Sequence, residues 1–153
     1  MNLLGVLPGG CGDSGSRCGP SSATVSRVVD GDTVELDTGQ KVRYLLVDTP
    51  ESTNGADDCY GHEAADYNSM LVLDRKVKLS YDQECTDRYG RLLAYVEVDG
   101  IVVNLRLVKQ GYACVLFISP NGQDKKDEYE EAQFEAKSMG RGMWGACEEV
   151  TCD

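Results

Sequence analysis

Alternating hydrophobic and polar residues dominate much of the chain and predict short β-strands. Such runs occupy residues 23–29, 33–37 and 41–47, and the pattern returns at 76–81 and 91–98. Asp-Gly and Thr-Gly-Gln separate the first three runs, as expected for hairpin turns. Too little chain lies between these strands for repeated strand–helix–strand units, so we expect a small antiparallel barrel.

Apolar residues at helical spacing predict three helices between and after these strands. The segments are 61–75, 102–110 and 123–139. Gly111 is expected to end the second helix and Gly140 the third. Residues 112–118 are predicted as a last strand, and Trp144 is expected to pack back onto the domain. The predicted fold class is mainly β with α, an α+β fold.

The two ends of the chain differ in composition from the region of predicted strands and helices. Residues 1–22 are rich in Gly, Ser, Pro and Cys and predict a leader or linker, residues 23–146 the domain, and residues 147–153 a short C-terminal tail. Residues 1–7 are apolar but too short for a signal-peptide core, although the residues before Cys11 resemble a bacterial lipoprotein cleavage box. No apolar run approaches the ~20 residues of a membrane helix, so we expect no membrane span.

Composition narrows the possible functions. The 153 residues suit one domain, and 15 Lys and Arg against 26 Asp and Glu give a net charge of −11. This charge argues against a protein that coats nucleic acid through a broad basic face, but not against an enzyme that grips a few phosphates. The single histidine, His62, excludes zinc sites built from several histidines.

The chain has seven cysteines, which is many for a reducing cytosol. None forms a Cys-x-x-Cys pair, so a cysteine-rich zinc site is disfavoured. We therefore expect disulfides and an oxidising location: secreted, or in a bacterial cell envelope or periplasm. The sequence leaves the pairing open, and the expected arrangement is Cys11–Cys18, Cys59–Cys85 and Cys147–Cys152, with Cys114 free.

Three clusters of charged residues suit hydrolysis of a phosphodiester. They are Asp30-Gly31-Asp32-Thr33, Arg43 followed by Asp48-Thr49-Pro50-Glu51, and Asp87-Arg88-Tyr89-Gly90-Arg91. Asp32 and Asp48 can bind a hard divalent cation such as Ca²⁺ through oxygen. Glu51 can orient or deprotonate water. Arg43 and Arg91 can fork onto phosphate oxygens and offset charge that develops in the transition state.

The order and spacing of these clusters resemble the staphylococcal nuclease (thermonuclease) family. The resemblance covers about residues 23–144 and rests on VVDGDTVEL (28–36), VRYLLVDTPE (42–51), YGHEA (60–64), TDRYGRLLAYV (86–96) and VNLRLVKQGYA (103–113). It implies a five-stranded OB barrel with three helices. It also implies a Ca²⁺-dependent, sugar-nonspecific endonuclease that cuts DNA and RNA and leaves 3′-phosphate ends.

The resemblance further implies roles for single residues. Asp32, Asp48 and the carbonyl of Thr49 would hold Ca²⁺. Asp30 would contact these ligands without binding the ion itself. Glu51 would handle the attacking water, while Arg43 and Arg91 would clamp the scissile phosphate. Arg88 and Tyr89 would contact the phosphate of the neighbouring nucleotide, and Asp87 would be structural.

The chain departs from the family pattern near the nucleotide pocket, where the family has two tyrosines. Counting forward from the glycine that ends the second helix, these fall on Phe117 and Ser119. Counting back from the next proline, they fall on Leu116 and Ile118. Phe117 can stack a base, or it can be an aromatic residue of a core strand. The loop 54–66 carries acidic residues and no Lys or Arg.

Two other functions fit parts of the sequence. An OB-type module could hold nucleic acid or a protein without cleaving it, but such relatives typically lack the catalytic carboxylates or arginines that this chain has. The acid excess also suggests a Ca²⁺-sequestering envelope protein. The sequence favours the nuclease, acting on DNA and RNA, and we expect it to be a monomer.

Overall fold

The computed structural model describes residues 17–53, 55 and 57–150. The strands are β1 (Ser22–Asp30), β2 (Thr33–Leu36), β3 (Lys41–Tyr44), β4 (Val47–Asp48), β5 (Lys76–Ser80), β6 (Leu92–Val98), β7 (Ile101–Val102) and β8 (Cys114–Val115). The helices are α1 (Gly61–Val72), α2 (Val103–Lys109), α3 (Lys126–Met139) and the short α4 (Met143–Ala146).

The larger sheet closes into a barrel. Its strands follow the order β3-β2-β1-β5-β6, and β3 also pairs with β6. Neighbouring strands are antiparallel except at the closure, where β3 and β6 run parallel with Arg43 beside Leu93. A closed ring with an odd number of strands cannot alternate direction throughout. The predicted five-stranded barrel with three helices is confirmed, while the expectation of a wholly antiparallel barrel was wrong at this pair.

The chain divides one predicted strand and shortens another. Leu46 has φ 69°, so the run predicted at 41–47 separates into β3 and β4. The predicted strand at 112–118 contains only β8, which pairs with β4 so that Asp48 lies opposite Cys114. Asp74 has φ 61°, and α1 accordingly ends at Val72 instead of continuing to residue 75.

Aliphatic side chains fill the barrel, and one buried amide joins them to α2. Val25, Val34, Leu36, Val42 and Val96 are each at most 1% exposed. The side chain of Asn104 donates to the carbonyls of Leu45 (2.9 Å) and Ala94 (3.1 Å) and accepts from the amide of Val96 (2.9 Å). These bonds satisfy a buried polar group and fix α2 against β6 and the turn after β3.

A second buried polar link fixes the turn between β1 and β2. The Tyr44 hydroxyl donates to Oδ1 of Asn68 at 2.7 Å, and Nδ2 of Asn68 donates to the carbonyl of Asp30 at 3.0 Å. The Tyr44 amide donates to the carbonyl of Asp32 at 2.9 Å. Burial raises the pKa of Tyr44 far above its ordinary value, so this hydroxyl stays a donor. Strand β3 and helix α1 therefore hold both aspartates of the turn.

The disulfides differ from every expected pairing. Cys18 bonds to Cys85 and Cys59 to Cys147, and Cys114 is disulfide-bonded as well. The expected Cys59–Cys85 bond was therefore wrong, as were Cys11–Cys18, Cys147–Cys152 and a free Cys114. Cys11 and Cys152 lie outside the described residues. Pairing by nearness in sequence failed because the bonds join segments separated by 67 and 88 residues.

The segments at the two ends of the described chain pack onto the domain. The carbonyl of Ser21 accepts from the amide of Leu79 at 2.8 Å, and that of Pro20 accepts from the Tyr81 hydroxyl at 2.6 Å. Nζ of Lys137 in α3 lies 5.0 Å from the centre of the Trp144 ring. Trp144 therefore packs against the domain, as expected. Among the described helices, none has both the length and the apolar character needed to span a membrane.

We expect Tyr44→Phe to lower the free energy of unfolding by about 1–2 kcal/mol, because it removes the donor to a buried amide oxygen. Urea denaturation of the variant and of wild type measures the difference. Tyr67→Phe, which removes a hydroxyl from a half-buried ring, is the matched control. Equal midpoints for Tyr44→Phe and wild type would contradict the importance of this link.

Candidate functional site

The guanidinium of Arg43 lies at the centre of the candidate site. Its Nη2 is 3.0 Å from Oδ1 of Asp48 and 3.4 Å from Oδ2 of Asp32. Its Nη1 donates to the carbonyls of Tyr44 (2.8 Å) and Val47 (2.7 Å). The side chain is only 15% exposed, so these contacts replace water around a charged group. Both predicted acidic ligands therefore lie beside one arginine.

The two aspartates of the β1–β2 turn are also held by the backbone. Oδ2 of Asp32 accepts from the amide of Thr49 at 2.9 Å, which joins the turn to the end of β4. Oδ1 of Asp30 accepts from the amide of Asp32 at 3.1 Å. Burial, with the charge of Asp32 as the second cause, raises the pKa of Asp30 from 3.8 to about 7. Glu51 contributes to the same rise, so negative charge is concentrated here.

Glu51 lies in the exposed loop after β4 and is held through its backbone. Its amide donates to Oδ2 of Asp58 at 3.0 Å, and its carbonyl accepts from the amide of Asp58 at 3.0 Å. A Cβ added at Gly61 would lie 2.2 Å from the Glu51 carbonyl oxygen, so the start of α1 packs directly on this residue. Sequence reasoning missed Asp58, although its place in an acidic loop near Glu51 was visible.

Arg91 lies at the end of a turn built around Asp87. Oδ1 of Asp87 accepts from the amides of Tyr89 (2.9 Å) and Arg91 (3.1 Å), and Oδ2 accepts from Nε of Arg91 at 2.7 Å. Asp87, expected to be structural, thus also orients an arginine. Among the described residues, Nη1 and Nη2 of Arg91 have no hydrogen-bond acceptor, which leaves both for a ligand.

Arg88 and Tyr89 occupy the exposed tip of the same turn. Nη2 of Arg88 donates to the Tyr89 hydroxyl at 2.7 Å, and its guanidinium carbon lies 4.9 Å from the centre of that ring. The guanidinium carbon of Arg91 lies 5.3 Å from the ring on which Arg88 rests. One aromatic ring therefore gathers two cations, and Tyr89 is 67% exposed beside them.

A cavity of about 510 Å³ brings the two predicted phosphate-binding arginines together. Arg43 and Arg91 both line it, with Arg88 and Tyr89. Its apolar lining is formed by Leu45, Leu46, Val47, Leu93, Leu116 and Ile118. The cavity thus combines guanidinium groups with an aliphatic wall, an arrangement suited to a ligand with a phosphate and an apolar face.

The residues of the two registers considered for the missing tyrosines differ in their position relative to the cavity. Leu116 and Ile118 line the cavity, whereas Phe117 is not part of its lining. Phe117 packs against the core, and Nζ of Lys126 lies 4.9 Å from the centre of its ring. The structure therefore places the aliphatic pair, and not the aromatic ring, at the cavity.

The donor atoms in the site fit a hard cation. Asp32 and Asp48 supply carboxylates close to the same Arg43 nitrogen, and the nearby Thr49 has a backbone carbonyl. In residues 17–53, 55 and 57–150, no group of three or more His, Cys, Asp or Glu side chains forms a metal site. An ion here would therefore depend on two carboxylates, carbonyl oxygen and water, which suits Ca²⁺ or Mg²⁺ and not a soft metal.

A sequence profile of staphylococcal nuclease homologues matches residues 41–146. The chain belongs to the staphylococcal nuclease family. The predicted family and enzyme class, a nuclease, are therefore confirmed. The match begins at β3 and ends at α4, so it includes Arg43, Asp48, Glu51 and Arg91.

Individual members of the family support the same assignment. The thermonuclease of Staphylococcus hyicus is 37% identical over 134 residues, which is 84% of this chain and 79% of that protein. The thermonuclease of Staphylococcus intermedius is 37% identical over 132 residues, covering 80% and 76%. Endonuclease YncB of Bacillus subtilis (strain 168) is 40% identical over 136 residues, covering 85% of this chain and 64% of that endonuclease.

We expect Arg43→Met to lower the free energy of unfolding of this protein by about 3 kcal/mol, because the largely buried carboxylates of Asp32 and Asp48 lose their partner. Urea denaturation measures the loss. The control is Arg27→Met, since Arg27 is 55% exposed in its ion pair with Glu35 and its loss should cost less than about 1 kcal/mol. Equal effects of the two substitutions would refute a special role for the Arg43 contacts.

Proposed function

We propose that this protein is a Ca²⁺-dependent endonuclease that hydrolyses phosphodiester bonds of DNA and RNA and leaves 3′-phosphate ends. The observation that carries the proposal is the position of Arg43. One side of its guanidinium contacts the two candidate cation ligands, and the same side chain lines the cavity that Arg91 shares. A phosphate in this cavity would lie between two guanidinium groups and next to the acids.

Asp32 and Asp48, with the Thr49 carbonyl, are the residues that would hold the cation. A bound Ca²⁺ would supply positive charge to the phosphate oxygens, where negative charge grows during hydrolysis. The carboxylates are already oriented, because the Thr49 amide and Arg43 each fix one of them. The acidic surroundings of Asp30 and Glu51 favour a cation at this place over an anion.

The two arginines would neutralise charge on the phosphate and orient it. Both hydrogens of Nη1 of Arg43 are used by backbone carbonyls, and Nη2 donates to Asp48. Among the described residues Nε has no acceptor, so it is the donor left for a phosphate. Arg91 is held through Nε, so its outer nitrogens can form a forked contact with phosphate oxygens. Because these donors are positioned before the reaction, little reorganisation is needed in the transition state.

Glu51 is the candidate base for the attacking water. Thr53 donates from Oγ1 to Oε1 of Glu51 at 3.3 Å, and the Asp58 contacts hold its backbone. Glu51 would accept a proton as the water oxygen bonds to phosphorus. The bond from phosphorus to the 5′-oxygen then breaks, so the phosphate remains on the 3′-oxygen. The 5′-oxygen takes a proton from solvent water, and Glu51 returns its own proton to solvent.

The cavity wall suggests how the rest of a nucleotide is held. Arg88 can contact the neighbouring phosphate, and a base can lie on Tyr89 or on the aliphatic pair Leu116 and Ile118. Aliphatic side chains offer a base neither a donor nor an acceptor, so this wall does not favour one base over another. The net charge of −11 limits attraction to the few cations around the cavity.

The disulfides support an oxidising location. Cys18–Cys85 and Cys59–Cys147 are bonds that a reducing cytosol does not maintain. We therefore propose that the enzyme acts after export, as a secreted or cell-envelope nuclease. Substrates in that location would be nucleic acids outside the cytosol.

We expect the purified protein to digest single-stranded DNA and RNA with Ca²⁺ and to leave both intact when EGTA removes the cation. Parallel reactions with Mg²⁺ test the choice of ion. Products should become primers for a polymerase only after phosphatase treatment, because a 3′-phosphate blocks extension. A folded protein that cleaves neither substrate with Ca²⁺ would overturn the proposal. Oligonucleotides that bind to the protein but are not cleaved would support the binding-module alternative.

We expect Glu51→Gln to lower kcat by about 10²-fold or more, because the amide cannot accept the proton of water. Arg91→Gly should cost at least about 10²-fold, since it removes a forked donor to the phosphate. Steady-state rates with Ca²⁺ measure both. Circular dichroism should show an intact fold, and Arg27→Gln, which changes an exposed arginine of β1, should keep the wild-type rate. Wild-type rates in either site variant would refute its assigned role.

A further inference from the structure

Residues 85–93 form a hairpin that carries one wall of the cavity; we name it the phosphate hairpin. The amide of Leu93 donates to the carbonyl of Cys85 at 2.8 Å, and Thr86 pairs with Leu92. The amide of Asp87 donates to the carbonyl of Arg91 at 3.0 Å. Cys85 is therefore the first residue of the element whose tip presents the arginines.

The base of this hairpin is fixed covalently to the segment before β1. Cys85 bonds to Cys18, and the segment around Cys18 is itself held against β5 through Pro20 and Ser21. Arg17 adds a contact to the same place, since its Nη2 donates to the carbonyl of Gln83 at 3.1 Å.

A buried amide also fixes the base of the hairpin. Asn121 is 4% exposed; its Oδ1 accepts from the amide of Glu84 and its Nδ2 donates to the carbonyl of Glu84, each at 2.9 Å. The amide of Gly122 donates to Oδ2 of Asp82 at 2.7 Å. Residues 82–85 are thus held by a disulfide and by hydrogen bonds from residues 121 and 122.

The tip of the hairpin has a different set of contacts. Arg88, Tyr89 and Gly90 are exposed, and the contacts described above join Arg88 and Arg91 to Tyr89 and Arg91 to Asp87, all within the hairpin itself. The backbone next to Arg91 is fixed by Leu92 and Leu93, which pair with β3. The orientation of the Arg91 side chain depends in addition on Asp87, which lies on the hairpin strand that begins at Cys85.

We propose that the Cys18–Cys85 disulfide is a positioning element of the nuclease site, so that its reduction displaces the phosphate hairpin and slows cleavage. The inference rests on the proposed nuclease function. In the reduction, a dithiol gives two electrons and two protons to the disulfide; two cysteine thiols form, and the dithiol becomes a disulfide. The chain would then reach full activity only where this bond is kept oxidised.

The test compares Cys18→Ser/Cys85→Ser with wild type by steady-state kinetics at 25 °C with Ca²⁺. A loosened hairpin should lower kcat at least about tenfold, since small misplacements of catalytic groups have large effects, and should also raise KM. Val77→Ala, a cavity-forming variant in β5 outside the hairpin, controls for lost stability and should keep the wild-type kcat. A double variant as fast as this control would overturn the proposal.

A double-mutant cycle with Arg91→Lys separates positioning from a general effect. If the disulfide acts through Arg91, removing it should change kcat much less when lysine already occupies position 91. An undiminished loss in the Arg91→Lys background would overturn the proposal. Oxidised wild type that cleaves nothing would instead refute the proposed function, and the positioning role with it.

Asn121→Ala provides a second route if the double serine variant does not fold. It keeps the disulfides and releases the hydrogen bonds to Glu84. Because Asn121 also lines the cavity, the comparison in the Arg91→Lys background separates positioning from a direct change of the wall. The proposal expects the same lowered kcat and raised KM, and the same loss of effect when position 91 is lysine. Wild-type kinetics in a folded Asn121→Ala protein would overturn the claim that the base of the hairpin controls Arg91.

Discussion

The contacts of one arginine organise the region on which the function depends. Arg43 is largely removed from water, so its charge needs partners, and these come from β4, from the β1–β2 turn and from its own strand. By accepting from Nη1, the carbonyls of Tyr44 and Val47 help to hold the turn at Leu46 that separates β3 from β4. The Arg43 guanidinium thus holds Asp32 and Asp48 and also stabilises the turn at Leu46.

The electrostatic character of the protein changes sharply over a short distance. A strongly acidic chain presents three guanidinium groups at one cavity, next to carboxylates that share a desolvated turn. Screening limits the reach of surface charges to about 10 Å at moderate salt, so a bound phosphate would feel mainly these nearby groups. Net charge alone therefore says little about whether such a protein binds nucleic acid.

Much of the fold and of the site could be predicted because the relevant signals are local. Alternation of apolar residues located most of the strands. The sequence strings shared with the family predicted that Asp32, Arg43, Asp48 and Arg91 belong to one site. Disulfide pairing could not be predicted, since it depends on which distant segments the closed barrel places together.

The roles of Asp87 and Phe117 show the same limit at the level of single side chains. Asp87 has two functions that the sequence does not separate, because it both closes a turn and orients Arg91. Phe117 and its neighbours fitted two registers, and the sequence does not show that Leu116 and Ile118, rather than Phe117, line the cavity. A one-residue shift exchanges the two faces of an extended segment, so pattern alone is a weak guide where a strand is as short as β8.

The parallel closure of the barrel also brings the two halves of the site together. Arg43 lies beside Leu93 across this pair, and Arg91 is two positions before Leu93, so side chains at these three places share one face. The two guanidinium groups are thus brought together across the pairing that closes the ring. The acids and Arg43 lie on one side of that closure and the opposing cation lies on the other, so the complete constellation requires the closed barrel.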